Sequence, residues 1–284
     1  MAEISTVELE HCRELALLPG SVFEFTSQYL PRDELDSMLA VYALNQAIAS
    51  IPHDQVDDAV KWAKLKWWSE EITAPPEAPS RHPVLRALWQ SGARANLDNT
   101  DLLQLVGDAL SQVDEVPVSD ESAMFKRQAA LGGTTIQLEL ALEKAAISAP
   151  CQSYLGAATG MFRLITSFSI NRRSDAVGLP LSILAKHNIN AEQLESKAHA
   201  AILGQIVVEL TETALDWYSK GLSDLQDDPQ ASAGRHLQLR WAMENRRLAV
   251  IKKHPEEFLK AGIRYGPSDA WFAWRFLRKL GQAA

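Results

Sequence analysis

Apolar residues recur along almost the whole chain at spacings of three and four, and no run alternates one-in-two for the length of a strand. The pattern predicts an all-α protein. Pro31 to Glu34 opens a helix, because proline suits a first turn and acids suit the positive end of the helix dipole. That helix carries Leu35, Met38, Leu39, Tyr42 and Ala43 to about Ser50, where Pro52 stops it. A second is predicted from Asp54 to Ile72, with Val56, Val60, Ala63, Trp67 and Ile72 on roughly one face. The prolines between Ala74 and Pro83 mark a loop. Further helices are expected over Pro83–Ala95, Thr100–Val113, Ser119–Ala146 and Tyr154–Ile170. Asn190 caps a long helix from Ala191 to about Leu222, and Leu225–Gly234 forms a loop. One helix then reaches Lys253, and a last one covers Asp269–Leu280. No repeat, low-complexity tract or long linker divides the chain, which reads as one domain over residues 1–284.

Composition changes this picture little but excludes several functions. The net charge of -8 argues against a duplex nucleic-acid binder, which concentrates basic residues on one face. It argues only weakly against anionic lipid, which a local basic patch still attracts. Cys12 and Cys151, with no CxxC spacing, fit a reducing compartment and no structural metal site. The first residues carry acids where a signal peptide carries bases. The longest apolar candidate for a span, around Ala200–Leu210, is broken by Gln205 and Glu209. A cytoplasmic protein is the plain expectation.

The common phosphate-loop, dinucleotide, zincin and hydrolase motifs are absent. His53, His82 and His254 each lie beside or near a proline, as expected of loops and helix ends. The informative segments are two. The first runs from Met38 through Tyr42-Ala43, Asn45, Ala49-Ser50 and His53-Asp54, then Lys64, Trp67-Trp68, Glu71 and His82-Pro83. The second runs from Gly156-x-Ala158 through Arg163, Ser167 and Asn171 to Leu179-Pro180. Their order over most of residues 20 to 280 resembles the squalene/phytoene synthase family. The resemblance implies an isoprenoid-synthase helical bundle around a central cavity.

That family's chemistry uses two aspartate-rich helices. Carboxylates one turn apart hold Mg²⁺, which clamps a diphosphate, and an apolar barrel shelters the carbocation left behind. Carried onto this chain from Tyr42-Ala43, the first acids fall at Ala49, Ser50 and His53, with Asp54 displaced by one position. Carried from Gly156-x-Ala158, the second pair falls at Ser167 and Asn171, and the motif's arginine becomes Thr166. The resemblance extends to a divergent branch that includes a respiratory complex I assembly factor, which has also lost the aspartates.

Two readings of this residue set stay open. In the first, the chain is a degenerate synthase homologue with no cofactor, binding an isoprenoid, a lipid or a protein partner. In the second, it is an active prenyltransferase whose Mg²⁺ sits on Asp54 and Asp58, spaced i, i+4, with Asp57 beside them. Against the second stands a plainer role for these aspartates, acids in the first turn of a helix. Lys64, Arg163, Arg172 and Arg173 line the old diphosphate cavity under both readings, or are surface charge.

The final helix is aromatic and basic. Trp271 and Trp274 with Arg275, Arg278 and Lys279 suit a membrane surface, so that the protein sits peripherally at a membrane. The alternative, and the expectation favoured here, is that Trp271, Trp274 and Phe276 or Leu277 pack on the core. Trp241 with Arg240, Arg246 and Arg247 is open in the same way.

Overall fold

The computed structural model describes residues 6–75, 80–114, 118–170, 179–190, 193, 200–228 and 233–283, and among them the regular elements are helical. The first are α1 (Thr6–Ala16), α2 (Val22–Ser27) and α3 (Arg32–Ala49), followed by a 3-10 turn at Ile51–His53. After α4 (Asp58–Ile72) and α5 (Pro83–Gln90) comes a second 3-10 turn, Ala93–Ala95. Then follow α6 (Asn99–Val113), α7 (Glu121–Glu143), α8 (Ala149–Ile170), α9 (Leu181–Lys186) and α10 (Ala200–Asp227). The last are α11 (Arg235–Lys253), α12 (Pro255–Ala261) and α13 (Pro267–Ala283).

Helix starts follow local chemistry. The Asp98 carboxylate accepts from Asp101 N at 2.9 Å, and the Asp101 carboxylate accepts from Asp98 N at 3.3 Å, a capping box for α6. Asn190 and Gln193 exchange the same pair of bonds at 2.9 Å each, while the helix expected to begin at Ala191 lies, before Ala200, largely outside the described residues. At α7 the cap is Asp120, whose carboxylate accepts from Ala123 N at 2.9 Å. These bonds from the Ala123 backbone and the Ser119 hydroxyl hold the Asp120 carboxyl below its usual value.

The helix expected over Pro83–Ala95 breaks after Gln90, because Gly92 adopts φ +83° and restarts the chain as a 3-10 turn. The helix expected from Asp54 begins only at Asp58, and α10 runs on to Asp227 through the start of the expected loop. The short helices α1, α2, α9 and α12 were outside the pattern. Helix α1 is polar on average, yet it buries Glu8, Cys12 and Ala16. Tertiary packing, rather than a strong apolar stripe, therefore decides it.

The chain forms two compact units, residues 1–115 with 137–145, and residues 116–136 with 146–284. In the first, α3 lies against α1, α5 and α6, and α4 lies against α6. Leu39, Leu44, Ile48, Leu65, Leu85, Leu88 and Leu102 are fully enclosed there. Each such side chain contributes about 2–3 kcal/mol of burial.

In the second unit α10 lies along α8 and α11, and α11 carries α13. The crossing of α7 and α8 is set by glycines. A Cβ on Gly132 would lie 2.0 Å from Gly156 O, and one on Gly160 would lie 2.5 Å from Gln128 O. Only hydrogen at these positions lets the two backbones touch.

Candidate functional site

Helix α3 positions the first motif. Tyr42 stacks on Phe23 with ring centroids 3.6 Å apart, and its hydroxyl donates to Glu139 Oε1 at 2.8 Å. Glu139 is completely buried, so the pair fixes the middle of α3 inside the first unit. Tyr42-Ala43 is thus a packing element. At the end of the helix, Ser50 Oγ donates to Ala47 O at 3.2 Å, and Pro52 sits within the 3-10 turn that follows. Proline has no N–H to continue the α-helical ladder, which is why the winding changes here.

This change of winding places the first-motif residues on different pieces of backbone. Ala49 is the last residue of α3 and half-buried, whereas His53 is exposed at the end of the 3-10 turn. Asp54 has already gone extended at φ -62°, ψ 140°. Asp54 and Asp58 therefore do not share a helical face, because α4 starts only at Asp58; the expected i, i+4 pair is not formed. Asp54 instead meets Lys64, with Nζ to Oδ2 at 2.5 Å. Asp58 pairs with Lys61 at 3.0 Å, and Asp57 stands exposed before the helix with no side-chain cap. Acids at a helix start account for Asp57 and Asp58.

The face of α4 is also reassigned. Val56, Val60 and Trp67 are exposed, while Leu65, Trp68 and Ile72 are buried. The 3.6-residue period runs through Leu65, Trp68 and Ile72; of the expected stripe Ile72 is buried, whereas Val56, Val60, Ala63 and Trp67 are exposed. His82 packs edge-on to Trp68 at 4.6 Å and to Trp67 at 5.7 Å, and its Nδ1 accepts from Val84 N at 3.3 Å as the cap of α5. Burial lowers its pKa, with a further push from His11 and a partial counter-pull from Glu71.

Helix α8 carries the second motif in the other unit. Arg163 and Ser167 are half-buried. Ser167 Oγ donates back to Leu164 O at 2.6 Å, and Thr166 Oγ1 donates to Arg163 O at 3.0 Å, so both hydroxyls are turned onto their own helix. Asn171, Arg172 and Arg173 lie outside the described residues.

One turn and more upstream, α8 contributes to a buried polar network that the sequence reading missed. Thr159 Oγ1 donates to Glu244 Oε2 at 3.1 Å, Tyr218 OH donates to the same carboxylate, and Arg240 Nη1 meets Glu244 Oε1 at 2.8 Å. All four side chains are buried. Burial, then the adjacent Glu244 charge, pushes the Tyr218 phenol well above its ordinary value, so it remains a donor. The legible signal was Arg240 and Glu244 at i, i+4 on α11. Trp241, Arg240 and Arg247 are interior groups, which resolves their open placement.

Magnesium needs several hard oxygen ligands in near-octahedral array. Among the described residues no three of His, Cys, Asp or Glu gather as a metal would require. The aspartates near the first motif are exposed or half-exposed, and Asp54 and Asp58 are paired with lysines. This donor set does not fit Mg²⁺. No helix among the described residues is long and apolar enough to cross a membrane.

An all-α frame of this kind, with its motif helices α3 and α8, is that of the isoprenoid synthases. The chain belongs to the squalene/phytoene synthase family, whose model matches residues 19–268. Among solved structures it is similar to a dehydrosqualene synthase in complex with ligand, with 13% identity, 98% of each chain covered and a TM-score of 0.74. It is also similar to squalene synthase HpnC from Alicyclobacillus acidocaldarius, with 17% identity, 87% of this chain and 94% of that chain covered, and a TM-score of 0.63. No curated protein matches it in sequence.

Proposed function

We propose that this chain acts by binding, on a synthase frame, and does not catalyse Mg²⁺-dependent prenyl transfer. One observation carries the reading. Ala49 and His53 carry no carboxylate, and the backbone turns from α to 3-10 winding at Ile51, which leaves Asp54 off the helix and engaged by Lys64. Among the described residues no carboxylate ladder supports the metal that would draw off a diphosphate. Because both named structural neighbours make squalene-type products, an isoprenoid or related lipid is the ligand class to test first. A protein partner, in the manner of an assembly factor, is the other.

The test is incubation of the full chain with farnesyl diphosphate and Mg²⁺, following diphosphate release. Release no faster than in the protein-free control is expected, together with unchanged behaviour on adding chelator. Mg²⁺-dependent release that Asp54→Asn abolishes would overturn the reading in favour of an active prenyltransferase with a non-standard site.

A further inference from the structure

Helix α13 carries its tryptophans on the wrong side for a core helix. Its buried stripe is Asp269, Ala273 and Leu277, spaced by four. Trp271 and Trp274 are 58% and 53% exposed, the most exposed tryptophans among the described residues. With Arg275 and Arg278 they form a second stripe at i, i+3, i+4 and i+7, roughly opposite the first. The expectation that both tryptophans pack on the core is therefore corrected; Leu277 packs there as expected, with Ala273 in place of the tryptophans.

The outer stripe is organised. Arg275 lies over the Trp271 ring at 5.2 Å, and Arg278 lies over the Trp274 ring at 5.5 Å, so each indole is matched by one guanidinium. The helix beneath it is firmly seated. Asp269 accepts from Arg246 Nε at 3.0 Å and from Gly266 N at 2.9 Å, and it also pairs with Arg247. Arg246 lies over the Phe272 ring at 4.9 Å. The buried side of α13 is thus fixed to α11 and to its own first turn, leaving the Trp–Arg side outward.

Charge identifies what that side fits. The charged residues of α13 are Asp269, Arg275, Arg278 and Lys279. The one acid is turned inward to Arg246 and Arg247, so every exposed charge on the helix is positive, in a chain of net charge -8. Charges farther than a Debye length of about 8–10 Å are screened at physiological salt, so the local sign governs a surface contact. A straight stripe of indoles with flanking guanidiniums matches the boundary layer of a bilayer, where indole rings settle and arginines meet lipid phosphates. We infer that α13 docks the protein, through Trp271, Trp274, Arg275 and Arg278, onto the surface of an anionic lipid membrane. This inference stands apart from whether the α3 and α8 motifs catalyse anything.

The test is co-flotation of the full chain with phosphatidylcholine vesicles, with and without about one-third phosphatidylserine. Binding to the anionic vesicles is expected, with little to the neutral ones and a marked loss on raising the salt. Arg275→Ala and Arg278→Ala should each weaken the anionic binding about fivefold, since each basic group near such a surface contributes that factor. Trp271→Ala with Trp274→Ala should weaken it by at least as much. All four side chains are exposed, so an unchanged thermal midpoint keeps these variants interpretable. Absence of vesicle binding, or binding that ignores all four substitutions, would overturn the inference. So would a dimer that Trp271→Ala dissociates in the absence of lipid while vesicles remain unbound, because the stripe would then belong to a second copy of the chain.

Discussion

Glu244 shows what one buried carboxylate does at the scale of a residue. It accepts from Thr159 and Tyr218 and neutralises Arg240, all out of contact with solvent. Glu244→Ala leaves an arginine buried without its counter-charge and should cost about 3–5 kcal/mol. Tyr218→Phe removes one donor and leaves the ion pair, so about 1–2 kcal/mol is expected. Urea unfolding of the two variants checks the order, and a smaller loss in Glu244→Ala than in Tyr218→Phe would contradict it. His82 supplies a pH dependence. Its folded pKa lies below the unfolded value of 6.5, so the unfolded chain binds more protons between the two. The stabilising contribution of neutral His82 is full above the unfolded value and is lost as pH falls toward the folded one. His82→Asn keeps a capping acceptor but does not titrate. The wild-type thermal midpoint should therefore drop more than the variant's between about pH 7.5 and about pH 5.5. His53 and His82 were recognisable as loop or helix-end residues from their prolines alone, whereas the network around Glu244 joins positions up to 85 residues apart, and only its Arg240–Glu244 pair is local.

At the scale of an element, glycines separate close approach from mere helix interior. Gly160→Ala pushes a methyl against Gln128 O on α7 and should destabilise by more than about 3 kcal/mol, since backbone cannot step aside. Gly204→Ala on α10 meets nothing within 4 Å and should stabilise by about 0.5–1 kcal/mol. Thermal unfolding of the pair measures both, and equal shifts would refute the glycine crossing of α7 and α8. Several helix boundaries were legible because caps and prolines act within four residues: Pro31 and Pro83 each mark a start, and Pro52 marks a stop. Helix α4 was misread because apolar and polar residues alternate around all its sides, with Val60, Trp62 and Trp67 exposed and Leu65 and Trp68 buried. A pattern with apolar residues on every side does not say which side is buried.

At the scale of the whole molecule, the all-α class was readable from the periodicity and the family from the order of weak motifs, and the family's model matches residues 19–268. The residues that the resemblance carries onto the aspartate positions, Ala49, His53 and Ser167, are matters of residue identity. Identity alone still left Asp54 and Asp58 available as a substitute pair. Only the folded chain separated them, by the 3-10 turn at Ile51–His53 and the late start of α4. The same division holds for α13. Its sequence determined an aromatic, basic helix. Which stripe faces inward was decided by the Asp269 anchor to Arg246 and Arg247 and by the packing of Ala273 and Leu277. Local sequence carries helix starts, helix stops and residue chemistry, because capping, dipoles and ring constraints act over a single turn. The burial of one face and the partner of each charge depend on surfaces from distant parts of the chain, so tertiary structure alone decides them.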